Sequence, residues 1–113
     1  QGVLQNGVLE DCAFRYALFP QAVMKRVSCS RSDFSGGSFG GCQVEGVFFD
    51  QCNLCECDFF HTPLDGMDFT TSQISGILLS GSELKGAVVT PLQAAELASL
   101  LGLIVRLPEE DDG

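Results

Sequence analysis

The densest group of residues that could do chemistry is the segment Cys52-Asn53-Leu54-Cys55-Glu56-Cys57. Closely spaced thiols beside a carboxylate are typical ligands of zinc, so a metal site is the sharpest hypothesis that this segment raises. His61 is the single histidine of the chain. No serine, cysteine or carboxylate is spaced to work with it as a nucleophile and base pair, and no glycine-rich phosphate loop opens a helix. We therefore expect neither an enzyme nor a bound cofactor.

The remaining ionisable residues are mostly acids, and they give the chain a net charge of −9. Up to Thr90, ten acids face five bases, and the residues after Thr90 contribute the other four negative charges. An acidic body argues against direct binding to nucleic acid or to an anionic membrane, but it suits a partner that is itself basic. No apolar run is long enough to span a bilayer or resembles a secretory leader, so neither a membrane segment nor a signal peptide is predicted.

The elements that position these side chains follow from a period of five residues. Every fifth residue from Leu4 to Val89 is apolar, and the residue two places before each of them is usually small. Helices and strands repeat their side-chain directions at 3.6 and 2 residues, so neither explains this period. A chain that turns a corner every five residues, with one large and one small side chain pointing inward on each side, does explain it.

Three segments carry a close resemblance to a known pattern: Ser32-Asp33-Phe34-Ser35-Gly36, Cys52-Asn53-Leu54-Cys55-Glu56 and Met67-Asp68-Phe69-Thr70-Thr71. They match the A-(D/N)-L-x-x motif of the pentapeptide-repeat family, and the resemblance covers residues 2–90. It implies an all-β fold, a right-handed quadrilateral β-helix with 20 residues per coil. Residues 1–90 would then form about four and a half coils, stacked at the usual strand spacing.

The repeat also bears on the cysteines and glycines. It places Cys12, Cys42, Cys52 and Cys57 at the small inward position, Cys29 at the large one and only Cys55 outside, which favours buried apolar thiols over a zinc site. Dispersed free cysteines indicate a reducing compartment, which we predict to be a bacterial cytoplasm. Gly46, Gly66 and Gly86 align in one corner column, where turns require positive φ.

The end of the column carries signals for a helix. Thr90 is a good N-cap, Pro91 suits the first turn, Gln93 completes a capping box and Gly102 is a good C′ residue, so we predict a helix over 91–101. A short strand is predicted over 103–107. Together they make a unit at 91–107, which could either fold back on the last coil or join two copies, and the acidic residues 108–113 form a disordered tail.

This ending resembles that of the Qnr and MfpA types of quinolone-resistance pentapeptide proteins. The resemblance implies a homodimer formed through the C-terminal element, for which the candidate residues are Leu97, Leu100, Leu101, Ile104 and Val105. It also implies a rod that imitates duplex DNA, binds DNA gyrase or topoisomerase IV, and protects the enzyme from fluoroquinolones. The competing hypothesis is a structural or scaffolding module, part of a longer repeat protein.

Two sets of outward residues could serve a partner. Stacking at 20 residues places Lys25, Glu45, Asp65 and Lys85 in one column, and the candidate acidic surface consists of Glu45, Asp50, Asp58, Asp65 and Asp68. It either merely solubilises the protein or fits a basic groove. The second set is the outward apolar residues Tyr16, Leu18, Phe48 and Phe60, which could contact a partner. They could also meet a preceding segment, since a sequence that opens on Gln1 rather than Met suggests a longer chain.

Overall fold

The computed structural model describes residues 2–19, 21–106 and 108. Its regular elements are six strands of three residues each and one helix. In chain order they are β1 (Val3–Gln5), β2 (Val8–Glu10), β3 (Val23–Lys25), β4 (Ser28–Ser30), β5 (Gln43–Glu45), β6 (Phe48–Asp50) and α1 (Pro91–Leu100), with a 3-10 turn at Ser82–Leu84 before the helix.

The strands pair in parallel with the residues that lie twenty places further along the chain. The sheet order is β1-β3-β5 on one side of the coil, which we call face A, and β2-β4-β6 on the next, face B. Isolated parallel bridges join Ala13 to Asp33 on face C and Leu18 to Ser38 on face D. Each of the first two coils therefore makes four pairings with the next, and the predicted period of twenty residues is confirmed. The hand of the coil stays a prediction.

The corners between faces are made by left-handed residues. Gly46, Gly66 and Gly86 have φ values of 64°, 78° and 80°, as predicted for their column. Most other corners repeat this geometry every five residues, and several of them use residues that carry a Cβ, such as Tyr16 and Gln21. Since left-handed backbone is unfavourable for such residues, the coil must be held by its core and its ladder rather than by the local preference of its corners.

The core is a set of columns of large side chains stacked along the coil axis. On face D the rings of Phe19 and Phe39 stack at 5.1 Å between centroids, and those of Phe39 and Phe59 at 5.3 Å. Phe39 and Phe59 are buried, whereas Phe19, in the first coil, is only partly buried. Each coil thus covers the apolar layer of its neighbour, as expected for a solenoid.

Faces A and B lose their strand pairing after β6. From Leu64 onward their corners are tight turns, in which the Met67 amide donates to the Leu64 carbonyl at 3.0 Å. No bridge joins β5 or β6 to the following coil among the described residues. Hydroxyl groups replace part of the ladder, because Thr71 Oγ1 accepts from the Gln51 amide at 3.2 Å and the Ser72 hydroxyl donates to the Phe49 carbonyl at 2.9 Å.

The predicted helix is present as α1, with the Thr90 and Gln93 capping box formed at its start. The Gln93 side chain also docks the helix, since its Nε2 donates to the carbonyls of Phe69 and Ser72 at 2.6 and 2.8 Å. No helix in the described part of the chain is long and apolar enough to cross a membrane.

The predicted strand at 103–107 is wrong over its described residues, 103–106, which have no regular structure. A strand is defined by a hydrogen-bonded neighbour, and no described segment pairs with these residues. Residue 107 and the part of the predicted acidic tail at 109–113 lie outside the described residues.

Candidate protein-interaction surface

The predicted acidic residues do not form one surface. Asp50 and Asp68 lie on face B, whereas Glu45, the last residue of β5, and Asp65, twenty residues later, lie where face A meets face B. We call these four residues the acidic face. Asp58 instead pairs with Ser38 and Leu78 on face D, two corners away in the coil. In a four-sided coil face D is opposite face B, so one flat partner cannot contact both, and the prediction that Asp58 belongs with the others is corrected.

Two carboxylates of the acidic face are held by neighbouring threonines. Oδ1 of Asp50 accepts a hydrogen bond from the Thr71 hydroxyl at 3.0 Å. Oδ1 of Asp68 accepts from the Thr70 hydroxyl at 2.6 Å and from the Thr70 amide at 2.8 Å. The hydrogen bonds from the Thr70 hydroxyl and amide lower the pKa of Asp68. The threonine contacts therefore fix both carboxylates in direction, and the lowered pKa keeps Asp68 charged at neutral pH.

The arginines of the first two coils are engaged within the chain. Arg31 contacts the carboxylates of Asp11 at 2.8 Å and Glu10 at 3.3 Å. The hydrogen bond and the charge of Arg31 lower the pKa of Asp11. Arg26 donates from Nε to Oδ1 of Asn6 at 2.6 Å. These contacts join residues that are twenty or twenty-one positions apart, so the arginines connect the first coil to the second.

The consequence is a segregation of charge along the column. Residues 2–31 contain the four bases Arg15, Lys25, Arg26 and Arg31 against the two acids Glu10 and Asp11. Residues 32–84 contain eight acids and neither Lys nor Arg. The field of the protein is therefore positive around the first coils and strongly negative in the middle, a distribution that the overall net charge conceals.

Sequence reasoning missed the carboxylate of Glu83, which is buried. Its two oxygens accept from the amides of His61, Ser80 and Gly81 at 2.9–3.2 Å, and also from the Ser80 hydroxyl at 3.0 Å. Burial raises the pKa of Glu83, but the backbone hydrogen bonds outweigh burial and lower the pKa to about 2. Glu83 acts as a clamp between two coils, and nothing in its repeat position distinguishes it from an exposed acid.

The cysteines follow the predicted burial. Cys29, Cys42, Cys52 and Cys57 are buried, and Cys12 and Cys55 are partly buried. Burial raises the pKa of Cys29 and of Cys57 to about 12, so both remain thiols at neutral pH, and the thiol form is a poor nucleophile and metal ligand. Within the described residues no group of His, Cys, Asp and Glu is placed to hold a metal ion. His61 lies exposed at a corner, with φ of 63°.

The candidate dimerisation residues divide into two kinds. Leu97 is only 5% exposed because α1 packs it into the core, so it caps the column and presents little surface, although it contributes to the wall of the groove described next. The others lie exposed at the end of the helix and beyond it: Leu100, Leu101, Ile104 and Val105. Beside them is an apolar groove of about 270 Å³, lined in part by Leu84, Val89, Ala98 and Leu103.

The outward apolar residues are exposed as predicted, but they lie on different sides of the coil. Tyr16 packs its ring against Gly36, where a Cβ would come within 2.6 Å of ring carbons, and the Arg15 guanidinium lies 5.4 Å from the ring centroid. Leu18 is on face D. Phe60 occupies the corner between faces D and A, where its ring centroid lies 6.3 Å from that of His61. Of the four, only Phe48 belongs to face B.

No protein-family model matches the chain, and no curated protein sequence matches it. Among solved structures, a trypsin-treated QnrB1, described as a plasmid-mediated fluoroquinolone resistance protein, matches at 14% identity and a TM-score of 0.36, over 92% of this chain and 100% of that one. Full-length QnrB1 matches at 11% identity and a TM-score of 0.30, over 89% and 90% of the two chains.

A further match is a pentapeptide repeat protein, Rfr23, from the cyanobacterium Cyanothece 51142, at 12% identity and a TM-score of 0.29, over 78% of this chain and 64% of that one. At these identities and TM-scores, what the chain binds has to be argued from its own surface. The solved structures to which the chain is similar thus include QnrB1, a fluoroquinolone resistance protein, and a pentapeptide repeat protein.

Proposed function

We propose that this chain is a DNA mimic, which occupies the basic DNA-binding groove of a type II topoisomerase, DNA gyrase or topoisomerase IV, and so protects the enzyme from fluoroquinolones. A groove that evolved to bind phosphates is lined with Lys and Arg and attracts any rigid body with a similar density of negative charge. The single observation that carries the proposal is the charge of the middle of the column.

The charge density along the middle of the column can be compared directly with that of duplex DNA. Residues 33–83 make about 2.5 coils, or about 12 Å of column at the usual strand spacing. The eight acids of this stretch, less the buried Glu83, leave seven outward carboxylates. Seven charges over that length are about one per 1.7 Å, which is the axial charge spacing of duplex DNA.

We further propose that two copies join at their C-terminal ends. The supporting observation is the exposed apolar set Leu100, Leu101, Ile104 and Val105 beside an apolar groove. A dimer would bury these residues and place two acidic segments on one longer rod. The double variant Leu100→Asp, Ile104→Asp should sediment as a monomer while the parent sediments as a dimer. A parent that is monomeric at all concentrations would contradict the dimer.

The test of the proposed function is inhibition of DNA supercoiling by gyrase, and relief of fluoroquinolone poisoning, at several salt concentrations. The wild-type protein should act at low salt and lose potency as salt screens the carboxylates. The double variant Glu45→Lys, Asp65→Lys reverses charge on the acidic face, where both residues are exposed, and should abolish the effect.

A matched control reverses the same number of charges elsewhere. Glu56→Lys with Glu96→Lys changes the corner between faces C and D, away from the acidic face. It should retain most of the activity if one face enters the groove. Equal loss in both double variants would mean that only net charge matters. Full activity of Glu45→Lys, Asp65→Lys would show that the acidic face is not the binding surface.

The alternative function is a scaffolding module whose partner contacts apolar side chains. It is favoured by Leu18 and Leu78, which are both exposed on face D and share a column with Asp58. Binding through such a surface would be insensitive to salt. A partner lost on Leu18→Ser with Leu78→Ser, and retained on Glu45→Lys with Asp65→Lys, would establish this second function instead of the first.

A further inference from the structure

Phe48 is an exposed aromatic side chain that the repeat does not require. The fold needs the inward Phe49 on β6, which is buried, while Phe48 points outward and is 41% exposed. One coil earlier, the same outward position is occupied by Ser28, which pairs with Phe48 in register. A small polar residue therefore satisfies this position, and a large ring there must be explained by something other than folding.

Carboxylates surround this ring on the acidic face. Asp50 is two residues further along the same strand and so points to the same side, and Asp68 occupies the same column one coil later. Glu45 and Asp65 lie at the adjoining corner. Asp50 and Asp68 each use Oδ1 to accept from a threonine, and their Oδ2 atoms make no hydrogen bond within the described residues. Both carboxylates therefore present a free oxygen in a fixed direction.

Among the described residues no arginine or lysine side chain lies over the Phe48 ring. The other exposed ring of this kind, Tyr16, is covered by the guanidinium of Arg15. Arg31, which lies at a corner of face B one coil before Asp50, is bound by Asp11 and Glu10. The sheet face around Phe48 thus combines an open aromatic ring with unneutralised carboxylates, and its complement is a cation that can both stack and donate hydrogen bonds.

We propose that Phe48 anchors an arginine side chain of the partner, with the guanidinium stacked on the ring and its N–H groups donating to Asp50 and Asp68. Arginine fits better than lysine because its planar group stacks on aromatic rings and presents several donors at once, whereas an ammonium is a strongly hydrated point charge. The inference rests on the proposed function, which supplies a basic partner, and it adds the residue that distinguishes specific binding from general attraction.

The test uses oligoarginine and oligolysine peptides of equal length, titrated into the whole chain by calorimetry at one salt concentration. The wild-type protein should bind the arginine peptide about 2–5-fold more tightly, the range expected for stacking at an exposed site. Phe48→Leu keeps an apolar side chain but removes the ring, so it should abolish that preference and leave the affinity for oligolysine unchanged. Phe60→Leu is the matched control, since Phe60 is 38% exposed but lies off the acidic face, and should keep the preference.

Equal affinity of the wild-type protein for the two peptides would overturn the proposal, and so would a preference that survives Phe48→Leu. The gyrase assay distinguishes failure of the proposed function from failure of the arginine anchor. If gyrase is unaffected while the arginine preference depends on Phe48, the anchor is established and the topoisomerase is the wrong partner.

Discussion

The first coil and the middle of the column share one repeat, but they differ in how far their core is buried and in how the coils are joined. Phe19 in the first coil is partly buried, while Phe39 and Phe59 in the same stacked column are about 1% exposed. The described corners before residue 32 all use residues with a Cβ, whereas most later corners use glycine. A buried hydroxyl joins successive coils in both regions, but only the first coils are also joined by arginine contacts at the surface, and only the later ones by the buried carboxylate of Glu83.

This difference implies that the contribution of a residue to stability depends on its coil as well as on its repeat position. A middle coil is covered on both sides, whereas the first coil has a neighbour on one side only among the described residues. The surface arginine pairs compensate weakly, since exposed ion pairs contribute little. We therefore expect the column to be most stable around residues 33–83 and weakest at its first coil.

The largest effect should come from removing the same side chain in the two regions. Phe59→Ala leaves a cavity between covered coils and should lower the free energy of unfolding by about 3–5 kcal/mol. Phe19→Ala removes a ring that is already partly exposed, and should cost about 1–2 kcal/mol. Urea denaturation followed by circular dichroism measures both. Equal losses in the free energy of unfolding would contradict the comparison, because the core of the first coil would then be as well buried as that of the middle coils.

The second effect concerns the clamp at Glu83. The pKa of Glu83 is about 2 in the folded chain against an ordinary value of 4.5, so its contribution to stability is complete above pH 4.5 and is lost as pH falls from 4.5 towards 2. Glu83→Gln cannot accept the same charged hydrogen bonds, and should destabilise the protein at pH 7 by on the order of 2–3 kcal/mol. The difference in stability between pH 7 and pH 3 should shrink by a similar amount.

The control for Glu83 is Glu45→Gln, which changes a carboxylate that is exposed rather than buried between two coils. Thermal unfolding of the two variants at pH 7 and pH 3 separates them. If Glu45→Gln flattened the pH dependence as much as Glu83→Gln, general charge repulsion rather than the buried carboxylate would explain the acid sensitivity.

The predictions for Phe59 and Glu83 also separate what could be predicted from the sequence from what could not. The five-residue period predicted most inward positions of the column, because a large residue such as Phe59 recurs every five residues with a usually smaller one, such as Cys57, two places before it. It failed at Ser82, which is exposed while Glu83 is buried. The helix was predictable from the local chemistry of Thr90 and Gln93. Both signals consist of residue type and spacing, so they can be recognised without knowledge of the tertiary structure.

What could not be predicted depends on contacts between coils. Glu83 has the same repeat position as an exposed acid, and only its approach to the amides of His61 and Gly81 makes it a clamp. The separation of Asp58 from the acidic face follows from which of four sides each pentad occupies. Leu97 is apolar like Leu100, and only the docking angle of the helix decides which of them is buried.

A third prediction concerns the helix that covers the last coil. Gln93→Ala removes the donors that satisfy the buried carbonyls of Phe69 and Ser72, and should cost about 2 kcal/mol. Leu92→Ala, an exposed change on the same helix, should cost little. Hydrogen exchange of the amides near Ser72 should rise only in Gln93→Ala. Unchanged exchange would mean that the helix stays docked through its apolar contacts alone.

The smallest expected effect tests the corners by exchanging residues within one column. Gln21 and Gly41 occupy the same corner in successive coils, with φ of 56° and 70°, and neither carries charge. Because left-handed backbone is unfavourable for residues with a Cβ, Gln21→Gly should stabilise the chain and Gly41→Gln should destabilise it, each by about 1 kcal/mol. A Cβ at Gly41 would lie 3.4 Å from the Gln21 side chain, which can move, so crowding adds little. Gains from Gln21→Gly would show that the first coil is weakened by its corners as well as by its open core, whereas no gain would assign the whole difference between the regions to burial.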